Sequence, residues 1–276
     1  MFEVKWSLPE PRPLDGVPAR LWRMVALAGH RLLMLDYDGT LAPFEVDRDR
    51  ARPLPRSTAL LGDIAAAAGT TVAIVSGRPL AELERLLGPL PVTVVGEHGW
   101  EKRMPDGLVV KCPLPTQQKQ VLDRAEHLAR RKGLGSHLER KRTGIVLHTR
   151  GLAPPVARDH EEETLSLWSP LAADGSSRLG RIDGGVELRL RGRDKGTAVL
   201  SLVSQAPPGT LGVFVGDDAT DEDAFAAVQE WGFGVRVGES DRPSLAAAWL
   251  PSCSAVTAFL EEWLRVTGGG GTPAAE

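Results

Sequence analysis

Short apolar runs alternate with segments of helical periodicity along most of the chain. Leu32-Leu33-Met34-Leu35 reads as a buried strand, followed by a helical pattern over residues 57–68. A second strand is predicted at residues 71–75 and a helix at 80–87. A third strand is predicted at 92–95. The same alternation resumes late in the chain. A helix over 195–205 leads to a strand at 211–215, a helix over 221–229 to a strand at 234–237, and a last helix covers about 255–265. Strands that are apolar on both faces and separated by helices predict a parallel sheet covered on both sides.

Between residues 113 and 190 the pattern changes. A polar helix at 116–132 precedes strands near 137–141 and 144–149. A helix near 154–168 precedes strands near 178–182 and 186–190, the last two joined by a turn at Gly184-Gly185. Two successive helix–strand–strand units predict a small α+β domain (113–190) inserted into the α/β core (21–112 and 191–267). Residues 1–20, with prolines at 9, 11, 13 and 18, read as a loose arm, and the Gly-rich 268–276 as a tail.

Composition narrows the function classes. The chain has 276 residues, 42% hydrophobic, with a formal net charge of −3. That balance gives no electrostatic reason to expect nucleic acid or an anionic membrane as partner. No apolar run approaches the roughly 18–20 residues of a membrane span, and no signal core opens the chain. Cys112 and Cys253 stand far apart, outside any metal-binding spacing, as expected of unpaired thiols in a reducing compartment. A soluble, cytoplasmic monomer is the resulting expectation.

Four segments carry candidate chemistry. Asp36-Tyr37-Asp38-Gly39-Thr40 places two carboxylates directly after the first buried strand, where ligands bind in open α/β sheets. Buried carboxylates need a partner, and a divalent cation would relieve their repulsion. One could attack phosphorus while the other handles the leaving group's proton. The bland alternative is an acidic turn ending at Gly39. Ser76-Gly77-Arg78 follows the second strand, where a hydroxyl and backbone N–H groups suit a phosphate oxygen, or merely cap a loop. Asp194-Lys195-Gly196 enters a helix; Lys195 could neutralise a phosphoryl group, or be an ordinary exposed lysine. Gly216-Asp217-Asp218-Ala219-Thr220-Asp221-Glu222-Asp223 holds five carboxylates in seven residues. Acids suit a helix N-terminus, but this density exceeds what capping needs and suits Mg²⁺.

Together the set Asp36-x-Asp38-x-Thr40, Ser76, Lys195 and Gly216-Asp217-Asp218 resembles the haloacid dehalogenase superfamily of phosphatases. More narrowly, DYDGTL, SGR, GEHG (96–99), ERKRTGIVLHTR (139–150), VELR (186–189) and GDDATDEDAF (216–225) resemble the trehalose-6-phosphate phosphatases, over about residues 32–264. The resemblance implies a Rossmann-like parallel-sheet core with an inserted cap. It implies Asp36 as the nucleophile forming an aspartyl-phosphate, and Asp38 as the acid and then the base. Thr40 and Ser76 would hold phosphoryl oxygens, with Gly77 and Arg78 beside them on the substrate, and Lys195 would neutralise charge. Mg²⁺ would be bound by Asp36, the Asp38 carbonyl and Asp217, with Asp218 or Asp221 holding ligands or metal waters. The cap would close over the sugar.

Within the cap the resemblance implies sugar contacts by Glu139, Lys141, Arg150 and Glu187. Glu139 and Lys141, two apart on a predicted strand, share a sheet face, although a solvated charged face would read the same way. Glu97 and His98, at a core strand end, suit closure or sugar contact on one reading and capping on the other. Two positions depart from the family pattern. Asp183 stands where relatives carry a lysine, and Thr149 where they carry an aromatic. The run His160-Glu161-Glu162-Glu163 reads as a solvated helix face. The expected activity is hydrolysis of trehalose 6-phosphate to trehalose and phosphate. The alternatives are a phosphatase of another sugar phosphate, of the sucrose or mannosylglycerate type, and a catalytically silent sugar-phosphate sensor.

Overall fold

The computed structural model describes residues 12–182, 184–239 and 242–268. The expected arm up to residue 11, the tail from residue 269 and the Asp183 departure lie outside them. The chain divides into two compact units. One runs to Val110 and resumes at Asp194, and the other is Lys111–Arg193.

The first unit begins with α1 (Ala19–Leu27), which buries Leu21, Trp22 and Val25. This corrects the expectation of a loose arm to residue 20. Val17 is also buried, the Gly16 carbonyl accepts from the Trp249 N–H at 2.9 Å, and the Arg12 N–H donates to Glu262. Four prolines made the segment look unstructured, yet Pro18 sits where a helix tolerates it, directly before the first turn. There follow β1 (Arg31–Leu35), α2 (Pro55–Ala66), β2 (Thr70–Val75), α3 (Leu80–Leu87) and β3 (Thr93–Gly96). Two short strands, β4 (Glu101–Arg103) and β5 (Val109–Lys111), extend the sheet antiparallel to β3 at β4.

In the second unit, α4 (Thr116–Arg131), β6 (Leu138–Arg140), β7 (Gly144–His148), α5 (Pro154–Ala172), β8 (Ser177–Ile182) and β9 (Gly185–Leu190) form a four-stranded antiparallel sheet, in the order β6-β7-β9-β8. Gly184 adopts φ +75° in the turn between β8 and β9, a conformation glycine enters without steric cost. Ile145, Leu147, Val186 and Leu188 are buried along one face. Trp168 of α5 reaches the Ala125 carbonyl of α4 at 3.0 Å, tying the two helices together.

The first unit then resumes with α6 (Lys195–Gln205), β10 (Leu211–Gly216), α7 (Asp221–Val228), β11 (Gly232–Val237), β12 (Ala248–Leu250) and α8 (Cys253–Gly268). The sheet order is β12-β11-β10-β1-β2-β3-β4-β5, parallel from β12 to β3. Period-two alternation divides its side chains. Leu33, Leu35, Val72, Ile74, Val213 and Val215 pack with α1, α2, α3 and α8. Leu32, Met34, Ala73, Val75 and Phe214 pack with α6 and α7. The chain winds outward from β1 in one direction and from β10 in the other. A crevice therefore opens beyond the carboxyl ends of these two adjacent strands. Among the described residues no helix is long and apolar enough to cross a membrane.

Candidate active site

The crevice fills with acid. Leu35 lies opposite Val215, and the Asp36 N–H donates to the Val215 carbonyl at 2.8 Å, so β1 and β10 deliver Asp36 and Asp217 to adjacent strand ends. Asp221 opens α7 and is fully buried. Its Oδ2 accepts the backbone N–H groups of Asp217 (3.0 Å) and Asp218 (2.8 Å), shaping the turn out of β10. Lys195 opens α6, held there by an N-terminal capping box between Asp194 and Thr197. Its ammonium is buried and bridges Asp36 Oδ1 at 2.8 Å and Asp221 Oδ1 at 2.7 Å. Thr40 Oγ1 donates to Asp217 Oδ1 at 3.2 Å. Gly39 is obligatory here. It has φ +74°, and a Cβ would stand 2.1 Å from Asp217 Oδ2.

Three carboxylates therefore face a single ammonium. One oxygen of each of Asp36, Asp217 and Asp221 lies within 4.8 Å of the others. Burial lifts the Asp36 carboxyl well above its ordinary value. Lys195 opposes that shift, and the charges of Asp221 and Asp217 add to it. Asp217 is pushed up to about 7, by burial first and by Asp221 next. Burial disfavours the Lys195 charge, but Asp221 and Asp36 more than offset it, so the ammonium stays protonated. Excess buried negative charge on hard oxygen donors is the environment that a small divalent cation neutralises, so the donor set fits Mg²⁺. Asp218 stands apart: it is exposed, and its carboxylate accepts its neighbour's Ala219 N–H at 2.5 Å.

The loops after β2 and β3 are laced together. The Ser76 carbonyl accepts the His98 N–H at 2.9 Å, and the Arg78 carbonyl accepts the Glu97 N–H at 2.8 Å. Ser76 is buried, and its Oγ accepts the Arg78 N–H at 3.2 Å. His98 lies over Gly77 so closely that a Cβ there would meet its Nε2 at 2.6 Å. Glu97 and His98 both adopt positive φ, 46° and 57°, a conformation that costs a non-glycine residue energy and recurs where strain serves function. Arg78, expected on the substrate, grips Asp38. Nε meets Oδ2 at 2.7 Å and Nη2 meets Oδ1 at 2.6 Å.

The trehalose-phosphatase family matches residues 34–248. The chain belongs to that family. A probable trehalose-phosphate phosphatase of Sinorhizobium fredii is 32% identical over 83% of this chain and 85% of its own length. A bifunctional trehalose-6-phosphate synthase/phosphatase of Thermoproteus tenax is 35% identical over 86% of this chain, and the chain spans 32% of that relative's length. Among solved structures, an Aspergillus fumigatus trehalose-6-phosphate phosphatase superposes with a TM-score of 0.66 at 28% identity, covering 89% of this chain and 96% of its own. The fold is that of the haloacid dehalogenase phosphatases, a parallel-dominated α/β core with a cap domain.

The remaining positions named from the family pattern lie in the second unit. Cross-strand register puts Glu139, Val146 and Glu187 in one row on the sheet face opposite Ile145 and Leu188. Lys141 Nζ lies 3.7 Å from Glu187, and His148 Nε2 lies 2.7 Å from Glu139. Arg150 packs beside Gly184. His148 was missed in the sequence, although it stands two residues from Val146 and so shares that face by the period of the strand. Thr149, in place of the family's aromatic, is buried and donates to Glu161 at 2.8 Å. Glu161 also pairs with Arg181. The expectation that His160–Glu163 is wholly a solvated face therefore fails at Glu161.

Proposed function

We propose that this trehalose-phosphatase family member hydrolyses trehalose 6-phosphate to trehalose and inorganic phosphate, in trehalose biosynthesis. The observation that carries the reading is the buried Lys195 bridging Asp36 and Asp221 at the mouth of β1 and β10. Asp36 attacks phosphorus as the ester bond to the sugar oxygen breaks, and Asp38 gives that oxygen its proton. Water then attacks the aspartyl-phosphate and loses its proton to Asp38. Thr40, Ser76 and the Gly77 backbone hold phosphoryl oxygens, and Lys195 neutralises their charge. Asp36, the Asp38 carbonyl, Asp217 and Asp221 would hold Mg²⁺, which when bound would balance the charge gathered on the phosphoryl group. Asp218 is assigned to the outer part of that site. The deciding experiment is phosphate release from a panel of sugar phosphates, and strong preference for sucrose or mannosylglycerate phosphate would replace the trehalose reading. No release from any of them would favour the silent sensor.

Removal of metal carries its own expectation. Activity vanishes in excess chelator and returns with Mg²⁺; full activity with metal confirmed absent would rule the mechanism out. The thermal shift caused by Mg²⁺ has a predictable sign. Asp217 holds its proton in the folded metal-free protein up to about pH 7, against an ordinary value of 3.8. Between those limits the folded state binds more protons than the unfolded one, so rising pH removes stability that Mg²⁺ restores on the same oxygens. The rise in Tm with Mg²⁺ therefore grows from pH 5 to pH 8, and a shift that shrinks over that range counts against this ligand set.

Sugar choice is assigned to the polar row of the second unit, because phosphate and metal are common to every sugar phosphate. Glu139, Lys141, Arg150 and Glu187 are proposed to pair with sugar hydroxyls, with Glu97 and His98 contributing from the core. Glu139→Ala and Glu187→Ala are each expected to lower kcat/KM for trehalose 6-phosphate about tenfold or more, the ~1.4 kcal/mol that one good hydrogen bond supplies. Hydrolysis of p-nitrophenyl phosphate, which has no sugar, should barely change. Equal losses on both substrates would place the damage in the fold instead.

A further inference from the structure

Asp38 is assigned two proton transfers, yet both its oxygens are occupied. Arg78 Nε and Nη2 hold Oδ2 and Oδ1 at 2.7 and 2.6 Å. Bidentate pairing takes one lone-pair site on each oxygen and fixes the plane of the carboxylate, so an oxygen that turns toward a leaving group must leave its donor. One of the two partners must yield, and their surroundings decide which. The Arg78 side chain is 2% exposed and that of Asp38 is 31% exposed. Arg78 is anchored on every other side. Nη1 donates to the Arg48 carbonyl at 3.0 Å and lies 3.5 Å from Glu82, and the guanidinium carbon sits 5.4 Å from the centre of the Tyr37 ring. That ring is itself pinned, because the Tyr37 hydroxyl donates to the Ala51 carbonyl at 2.7 Å. The arginine is a fixed post, and the aspartate is the part that can turn.

We propose that Arg78 is the positioning residue for Asp38. It docks the carboxylate between turnovers and, by keeping one oxygen while releasing the other, aims the released oxygen at the reacting centre. This rests on the assignment of Asp38 as acid and base. In the first step the released Asp38 oxygen, having taken a proton from solvent, passes it to the sugar oxygen as the P–O bond to the sugar breaks and the Asp36–P bond forms. In the second, a water oxygen bonds to phosphorus, the Asp36–P bond breaks, and the water proton passes to Asp38; that proton returns to solvent as Asp38 docks again. Tyr37 backs Arg78, with its ring centre 5.4 Å from the guanidinium carbon.

The test separates the two steps. Phosphoenzyme formation from p-nitrophenyl phosphate needs no acid, because p-nitrophenolate leaves without a proton, whereas phosphoenzyme hydrolysis still needs the base. In Arg78→Gln, single-turnover formation from p-nitrophenyl phosphate should fall less than about tenfold, while decay of the phosphoenzyme should slow at least a hundredfold, the scale of a lost acid–base contribution. Phosphoenzyme then accumulates behind a stoichiometric burst of p-nitrophenolate. On trehalose 6-phosphate kcat should fall about a hundredfold with KM within about threefold, as for a residue that acts through Asp38 rather than on the phosphate. Arg78→Lys, which keeps a charge and one donor line to Asp38, should recover at least tenfold of the decay rate. Equal slowing of formation and decay, or a KM that rises with kcat unchanged, would make Arg78 a phosphate ligand and overturn the proposal. Should both variants fail to fold, the wild-type protein decides. A crystal structure with beryllofluoride on Asp36 should show one Asp38 oxygen released and Arg78 still on the Arg48 carbonyl, and Asp38 still gripped through both oxygens would overturn the proposal. Wild-type turnover of p-nitrophenyl phosphate without turnover of trehalose 6-phosphate would overturn the substrate reading and leave this measurement standing.

Discussion

Asp36→Asn is expected to remove turnover on every phosphomonoester while the protein stays folded and still binds its substrate. The loss should be about 10⁴-fold or more, roughly 5.5 kcal/mol of barrier, because an amide oxygen does not replace a carboxylate as nucleophile and the other site groups only assist the step it takes. The fold should survive for a reason visible in the site. Lys195 keeps Asp221 at 2.7 Å, the amide oxygen of asparagine can still accept from the same ammonium, and one of three crowded carboxylates is gone. Backbone pairing, not the Asp36 side chain, holds β1 and β10 together. Phosphate release in the steady state, read beside circular dichroism and calorimetric binding, checks all three parts. Residual turnover within about tenfold of wild type, only ~1.4 kcal/mol, is too small for a missing nucleophile and would move the assignment elsewhere.

How much of this site can be read from the chain depends on how local each signal is. The residues after β1 and β10 are legible because a buried apolar strand ending in carboxylates is a costly local arrangement that needs an explanation. Helices α3 and α6 match their predicted bounds, with apolar periodicity and, for α6, a capping residue at the start. The elements missed are those without such periodicity. Strand β4 is Glu101-Lys102-Arg103, held by backbone pairing to β3 rather than by an apolar face, and β12 is three residues long. Helix α1 was hidden by the prolines before it. The grip of Arg78 on Asp38 spans 40 residues and follows only from the alignment of β1 with β2, which no local pattern encodes. Asp218 is less directly legible. Its place in an acidic run suggests a ligand, but turn geometry sends its side chain to the Ala219 N–H and leaves the inner position to Asp221.

Lys195→Met should be the most damaging single change for the core after loss of the nucleophile, and it should act on stability as well as on rate. The methionine fills much of the same volume, so the cost isolates the charge. Without the ammonium, Asp36, Asp217 and Asp221 face one another with no protein cation among them. Breaking a buried ion network by removing one partner typically costs about 3–5 kcal/mol. That cost should be largest at pH 8 in chelator and smaller near pH 5. Both Asp36 and Asp217 have raised values in the folded state, so on acidification the folded protein takes up protons before the unfolded chain does and sheds the repulsion. Mg²⁺ should return part of the stability at pH 8, because it binds the same oxygens. It should not return the activity, since the charge that Lys195 places against the phosphoryl group is lost, and a deficit of at least about 10²–10³-fold, the scale of one lost electrostatic contact in a site of this kind, should persist at saturating metal. Denaturant unfolding at the two pH values, with and without Mg²⁺, reads the first effect, and phosphate release reads the second. A variant as stable as wild type in chelator at pH 8 would mean that the three carboxylates do not share the charge of Lys195, and full activity on adding Mg²⁺ would remove Lys195 from the chemistry.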